Sequence, residues 1–303
     1  FTAAALSDRH STDSDLRAAL ASARDFQDEL LVFCRPSGVM PAIGKNLVSR
    51  GLESRAPEKL FSEASRASRD CAALNMLLIS TSSQILERAA LSGLEVLPLK
   101  GLSLMEKIYE PDERGMKDLD YFIRRETLDR LAEAAPDMGF EDAPCSLPPD
   151  FSVEYSGEKK YCVSRAGVTF DAEFHWDPSP GPALGAAFPL TEDIVWSLAD
   201  RTGDGFRLSP TGDMLYCIHH LAARHSFSRL KWFLDIKNMT IALEDHIDWP
   251  LLERLLERTG LVRAAGAVFD FLSEFLPSGA PSPSCIRRPR RVERILYRTL
   301  IVD

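Results

Sequence analysis

Asp118 and Asp120 stand two residues apart at the head of an apolar run, Asp118-Leu119-Asp120-Tyr121-Phe122-Ile123. On a strand, residues i and i+2 share a face about 6 to 7 Å apart. The two carboxylates are therefore presented together, while Leu119, Tyr121 and Ile123 turn toward a core. Paired hard oxygen ligands suit Mg²⁺, and divalent ions bridging phosphate oxygens serve phosphoryl and nucleotidyl transfer. A second acidic strand is readable downstream. Asp171, Glu173 and His175 alternate with Phe170, Ala172, Phe174 and Trp176, giving one polar and one apolar face. Three carboxylates from two strands make the minimum set for a two-metal site. An Asp-x-Asp pair alone fits a solvated strand end equally well, so the neighbours carry the weight.

Those neighbours favour a phosphate. Val96, Leu97 and Leu99 form a short apolar run that ends in Lys100-Gly101, and Leu102, Met105, Ile108 and Tyr109 then recur at helical spacing. A glycine at a helix start lets a phosphate approach backbone N–H groups. Lys100 adds a point charge there, and Arg114 offers a planar fork for phosphate oxygens. A second cluster, His219, His220, His225, Arg229, Lys231 and Asp235, falls on two expected helices joined near Ser226 and lacks a familiar zinc spacing.

The elements that must position these groups are mostly helical. Periodicity predicts helices over residues 15–33 (Ser14 as N-cap), 40–48 and 57–92, with Arg35-Pro36-Ser37-Gly38 as a break and Gly93 as a stop. Strands are expected at 96–99 and 118–123, a helix at 126–138 closed by Gly139, and an irregular stretch at 144–149. A hairpin follows, 160–165 and 168–176, turning at Ala166-Gly167. A linker rich in Pro and Gly covers 177–189. Helices then start at Ser209-Pro210-Thr211 and cover 230–243, 249–259 and 262–275. The fold class is α+β, divided into an N-terminal helical region (1–93), an α/β core (94–189), a C-terminal helical region (190–276) and a flexible basic tail (277–303). Within that tail Arg287-Arg288-Pro289-Arg290-Arg291 reads as a solvated basic stretch.

Bulk properties narrow the class. The chain has 303 residues, 45% of them hydrophobic, and a formal net charge of −9. That balance gives no overall attraction to nucleic acid, although a local basic groove is compatible with it. Six cysteines without a Cys-x-x-Cys pair point to reduced thiols and a cytoplasmic location. No apolar run approaches the ~20 residues that span a bilayer. The first fourteen residues lack the basic-then-apolar pattern of a signal peptide.

The motif string Leu97-Pro98-Leu99-Lys100-Gly101, Tyr109, Arg114-x3-Asp118-Leu119-Asp120, then an acidic residue before Phe174-His175-Trp176, resembles the uncharacterised bacterial nucleotidyltransferases of the DNA polymerase β superfamily. His219 to Ile236 (HHLAARHSFSRLKWFLDI) is similar to that family's helical His…His…Arg-Leu-x-Trp…Asp segment. The likeness spans residues 75–243, and its Lys-Gly…Arg-x3-Asp-x-Asp part is similar also to abortive-infection-type nucleotidyltransferase toxins. The resemblance implies a polymerase β-like core that uses Mg²⁺ or Mn²⁺ to move an NMP from an NTP to a hydroxyl-bearing acceptor. That acceptor is a small molecule, a protein or a tRNA. Asp118 and Asp120 become the metal pair and Glu173 the third carboxylate, where the family more often has Asp. Asp171, two residues earlier, competes for that role. Lys100-Gly101 stands where the superfamily has Gly-Ser, with Ser103 the nearby hydroxyl. Lys100, Gly101, Ser103 and Arg114 become nucleotide contacts. His225, Arg229 and Lys231 line the cleft opposite the carboxylates, and Asp235 orients one of the cations. Two other readings stay open: a toxin-like enzyme acting on tRNA or protein, and a degenerate nucleotide-binding regulatory module.

Overall fold

The structure, a computed structural model, describes residues 2–143, 156–179, 181–203, 205–273 and 281–286. The expected irregular stretch at 144–149 and most of the basic tail lie outside the described residues. Five helices open the chain: α1 (Thr2–Ser7), α2 (Asp13–Ala23), α3 (Gln27–Ser37), α4 (Met40–Ser49) and α5 (Glu58–Leu91). The helix expected over 15–33 is two, because Phe26 leaves the helical region at φ −141°. Thr12, not Ser14, caps α2. Its hydroxyl accepts from Asp15 N–H and the Asp15 carboxylate accepts from Thr12 N–H, a reciprocal capping box. Helix α3 runs through the first three residues of the expected break, with Pro36 inside its last turn, and stops at the fourth, Gly38 (φ +74°).

The middle of the chain builds one sheet. Strand β1 (Leu97–Pro98) leads into α6 (Lys100–Lys107) and β2 (Asp118–Phe122); α7 (Leu128–Ala134) then precedes β3 (Phe140–Asp142), β4 (Glu158–Arg165) and β5 (Val168–His175). The spatial order is β1-β2-β5-β4-β3, with β2 and β5 parallel and the other pairings antiparallel. Ala166 (φ +50°) and Gly167 (φ +77°) are both left-handed, as a two-residue turn between twisted strands requires. Beyond the sheet come α8 (Pro182–Ala187), α9 (Glu192–Ser197), the hairpin β6 (Ala199–Thr202) and β7 (Gly205–Leu208), α10 (Pro210–His219), a π-helical turn (His220–Arg224), α11 (Leu230–Ala242), α12 (Trp249–Arg258) and α13 (Val262–Leu272). Strand β3, the β6–β7 hairpin and α8 were not anticipated.

Alternation gives the sheet one dry face. Leu119 and Tyr121 of β2, Ala172 and Phe174 of β5, and Tyr161 and Val163 of β4 pack on Leu78, Ile85 and Ala89 of α5 and Leu131 of α7. Tyr121 stacks on Phe174 at 5.0 Å and its hydroxyl donates to Ser82 Oγ at 2.9 Å. A second core joins the ends of the chain: Leu6, Leu20, Ile43 and Leu60 lie in one cluster with Ile218, Phe233, Met239 and Val268. Helix α5 bridges the two cores, its first half in one and its second half under the sheet. A fully buried Lys237 pairs with Asp8 across the joint. No helix among the described residues is long and apolar enough to cross a membrane.

Candidate functional site

The polar face of the sheet opens into a cavity of about 320 Å³. Register explains its floor. Asp120 lies opposite Glu173, which lies opposite Lys160; one pleat along, Phe122, His175 and Glu158 form the next row. Because side chains alternate, Asp118, Asp120, Glu173, His175, Glu158 and Lys160 all reach the same side, and all six line the cavity. One wall is the Lys100-Gly101 turn with residues 114–117. The roof comes from α10, the π-helical turn and the start of α11: Tyr216, His220, Arg224, His225, Arg229, Lys231 and Trp232. Seven Lys and Arg face four Asp and Glu there, so the lining is net positive in a chain of charge −9. Such a local field favours a polyanion.

Lys100 is held in place by the backbone. Leu99 N–H donates to the Asp120 carbonyl at 3.0 Å, continuing the β1–β2 ladder, and Lys100 then turns at φ +47°. A left-handed Lys is strained. Its ammonium lies 2.5 Å from Asp120 Oδ1, and His175 Nε2 lies 3.0 Å from the same oxygen. Burial pushes the Asp120 carboxyl up, but Lys100 and His175 outweigh burial and hold it well below the usual carboxylate range. Asp118 is raised, by burial first and then by the Asp120 charge. Glu158 goes down to about 2: burial opposes, while His175, Arg224 and Lys160 prevail. Lys160 reaches Glu173 Oε1 at 2.5 Å and Glu158 Oε1 at 3.3 Å, and despite burial the two carboxylates raise its pKa.

Three expected contacts are placed elsewhere or otherwise engaged. Arg114 does not offer its fork to the cavity. Nε and Nη2 each donate to an Asp235 carboxylate oxygen at 2.8 Å, and Tyr109 Oη donates to the same group at 2.9 Å. The remaining nitrogen points at Gly101, where a Cβ would come within 2.9 Å of Arg114 Nη1 and 2.8 Å of Met116 Sδ. The glycine thus clears room for packed side chains. Ser103 is fully buried and does not line the cavity; it donates to Asp213 Oδ2 at 3.0 Å and accepts from Lys107 Nζ at 2.9 Å. Its position on α6 turns it toward α10. Asp171 is exposed, one pleat from Glu173 and opposite Asp118, outside the lining.

The histidine cluster divides. His219 is buried and donates from Nε2 to Ser179 Oγ at 2.8 Å, the hydroxyl in turn donating to Phe188 O. Burial brings its pKa down to about 4. His225 stacks on Trp232 at 3.6 Å between ring centres, and His220 meets both rings edge-on. Arg229 and Lys231 flank Trp232 at 5.2 and 5.7 Å. Burial and then the Lys100 charge lower His225 to about 4, and burial with Arg114 brings Lys231 to about 8.

A family model described as "Uncharacterised nucleotidyltransferase" matches residues 24–277. The chain belongs to this family. Comparison with curated proteins finds no match. Among solved structures the chain is similar to an antigenic nucleotidyltransferase-like protein from Paracoccidioides brasiliensis, at 16% identity over 54% of this chain and 75% of that one, with a TM-score of 0.37.

For a nucleotidyltransferase-family chain the next question is whether these side chains suit a divalent cation. One ligand atom from each of Asp120, Glu173 and His175 lies within 4.8 Å of the other two, and Asp118 stands beside them. Two carboxylates and an imidazole fit such an ion. Glu158, Lys160, Tyr216 and Arg224 escaped the sequence reading. The first two were legible in principle, since Glu158 and Lys160 continue the period of two that Cys162 and Ser164 follow on β4.

Proposed function

We propose that this cavity transfers an NMP from an NTP to a hydroxyl-bearing acceptor, on a core of the polymerase β type. The observation that carries the reading is the opposition across one cavity: Asp118, Asp120 and Glu173 on adjacent parallel strands, facing Arg229 just before α11 and Lys231 in its first turn. Mg²⁺ or Mn²⁺, held by these carboxylates, would neutralise charge on the transferred phosphate. Arg229 and Lys231 make no ion pair with a carboxylate among the described residues, which leaves their charge for the triphosphate. Lys100 adds charge at the floor. Of the three carboxylates, Asp118 alone has no ion-pair partner among the described residues, and burial raises its proton affinity. It takes the acceptor's proton as the acceptor oxygen bonds to the α-phosphorus and the bond to pyrophosphate breaks.

A second reading, a nucleotide-binding module without turnover, has one observation in its favour: Lys100 and His175 already satisfy Asp120. Incubation with labelled NTP, Mg²⁺ or Mn²⁺ and cell extract separates the two. The wild type is expected to label an acceptor and the Asp118→Ala/Asp120→Ala variant is not; equal labelling by both contradicts the catalytic assignment.

A further inference from the structure

The expected metal set is carboxylate only, yet among the described residues the donor atoms that converge within 4.8 Å include a histidine and leave Asp118 out. His175 is 3% exposed, and its ring lies between carboxylates on both sides. Nδ1 is 3.2 Å from Glu158 Oε2, short of a regular hydrogen bond, and has no other partner among the described residues. Nε2 is 3.0 Å from Asp120 Oδ1 and 3.6 Å from Glu173 Oε2. Glu158 is itself fixed, by Arg224 Nη1 at 3.3 Å and Lys160 Nζ at 3.3 Å. Deep in a sheet, that is a large investment in the orientation of one imidazole.

We infer that His175 is a direct nitrogen ligand of the catalytic metal, completed by Asp120 and Glu173 and oriented by Glu158, and that the site therefore prefers Mn²⁺ to Mg²⁺. The inference rests on the metal-dependent transferase reading and sharpens it. In this structure His175 Nε2 donates to Asp120 Oδ1; where a metal takes the place of that hydrogen, the carboxylate at Nδ1 keeps the ring hydrogen on Nδ1 and leaves the Nε2 lone pair for the ion. Metal-bound histidines usually have their other nitrogen anchored in this way, and the anchoring carboxylate is worth about 10- to 100-fold in affinity. Asp120 and Glu173 bring two carboxylates beside that nitrogen, a donor set that favours a divalent cation. Mg²⁺ demands near-ideal oxygen coordination and keeps its waters, whereas Mn²⁺, which also favours carboxylates, is the less strict of the two and admits a nitrogen ligand beside them. Lys100 and Lys160, each 2.5 Å from one of the ligand carboxylates, are counter-cations that the metal displaces.

The test uses the full chain with Mn²⁺ alone. Pulsed EPR of the bound ion is expected to show nitrogen coupling from a directly ligated imidazole, and Mg²⁺ in tenfold excess is expected to leave most Mn²⁺ bound. His175→Ala should lose the coupling and bind Mn²⁺ at least tenfold more weakly. Glu158→Gln, a milder change that guards against misfolding, should keep the coupling and weaken binding about tenfold. Bound Mn²⁺ without nitrogen coupling overturns the inference and leaves the transferase reading standing, as does unchanged affinity in Glu158→Gln. Absence of both Mn²⁺ and NTP binding by the wild type overturns the two together.

Discussion

Arg114 and Asp235 meet across 121 positions of sequence through two hydrogen bonds of 2.8 Å each, both side chains almost wholly out of water. The pair ties the loop before β2, which carries Asp118, to the helix that carries Lys231 and Trp232. Tyr109 donates to Asp235 and accepts from Asn238 Nδ2 at 2.9 Å, so the salt bridge sits in a network. The floor and the roof of the cavity are thereby held at a set distance.

Breaking one side of that pair leaves a buried charge without compensation. Asp235→Ala is expected to destabilise the fold by about 3 to 5 kcal/mol. Urea unfolding measures this, and a loss under about 1 kcal/mol would show the network to be slack.

Ser103 supplies a negative control for the phosphate site. Its hydroxyl belongs to a buried cluster with Lys107 and Asp213. Ser103→Ala should lower stability by about 1 to 2 kcal/mol and leave NTP affinity as it was. A loss of NTP binding with unchanged stability would return Ser103 to the cavity.

Lys231, lowered to about 8 by burial and the neighbouring Arg114, loses its charge as pH rises through that value. NTP affinity should therefore fall above pH 8, at most about tenfold per unit from a single coupled proton. Lys231→Arg keeps its charge at higher pH and should flatten the decline. An identical profile in both proteins would remove Lys231 from the nucleotide contacts.

His219 governs stability, with the opposite direction in pH. Its folded value of about 4 lies below the ordinary 6.5, so it favours the folded state fully above pH 6.5 and loses that contribution as pH falls toward 4. The loss is on the order of 3 kcal/mol. His219→Gln, which keeps a donor for Ser179 without a titrating ring, should show a shallower fall in that window when unfolding is followed against pH.

What was legible in the sequence followed from short-range pattern. The Asp118/Asp120 face, the β4–β5 hairpin around Ala166-Gly167 and the 34-residue α5 each announce themselves by a period of two or 3.6 and a punctuating residue. Strand β3 and the β6–β7 hairpin, at three or four residues a strand, are too short to show a period. Phe26 interrupts a helical pattern without a proline or glycine to mark it. The sequence pattern starts the strand at Lys160, two residues late, and so leaves Glu158 out. The carboxylates that accept from Arg114 and Ser103 lie more than 100 residues away, and no local pattern tells an arginine whether its fork will meet a phosphate or Asp235.

The central claim is that the cavity moves a nucleotidyl group, and the position of a radioactive label decides it. With NTP labelled at the α-phosphate, the wild type should place label on an acceptor. With label at the γ-phosphate, all of it should leave as pyrophosphate, and Asp118→Ala and Asp120→Ala should do neither. Label from the γ-phosphate on the acceptor, or α-label transfer undiminished in the two variants, would contradict the account.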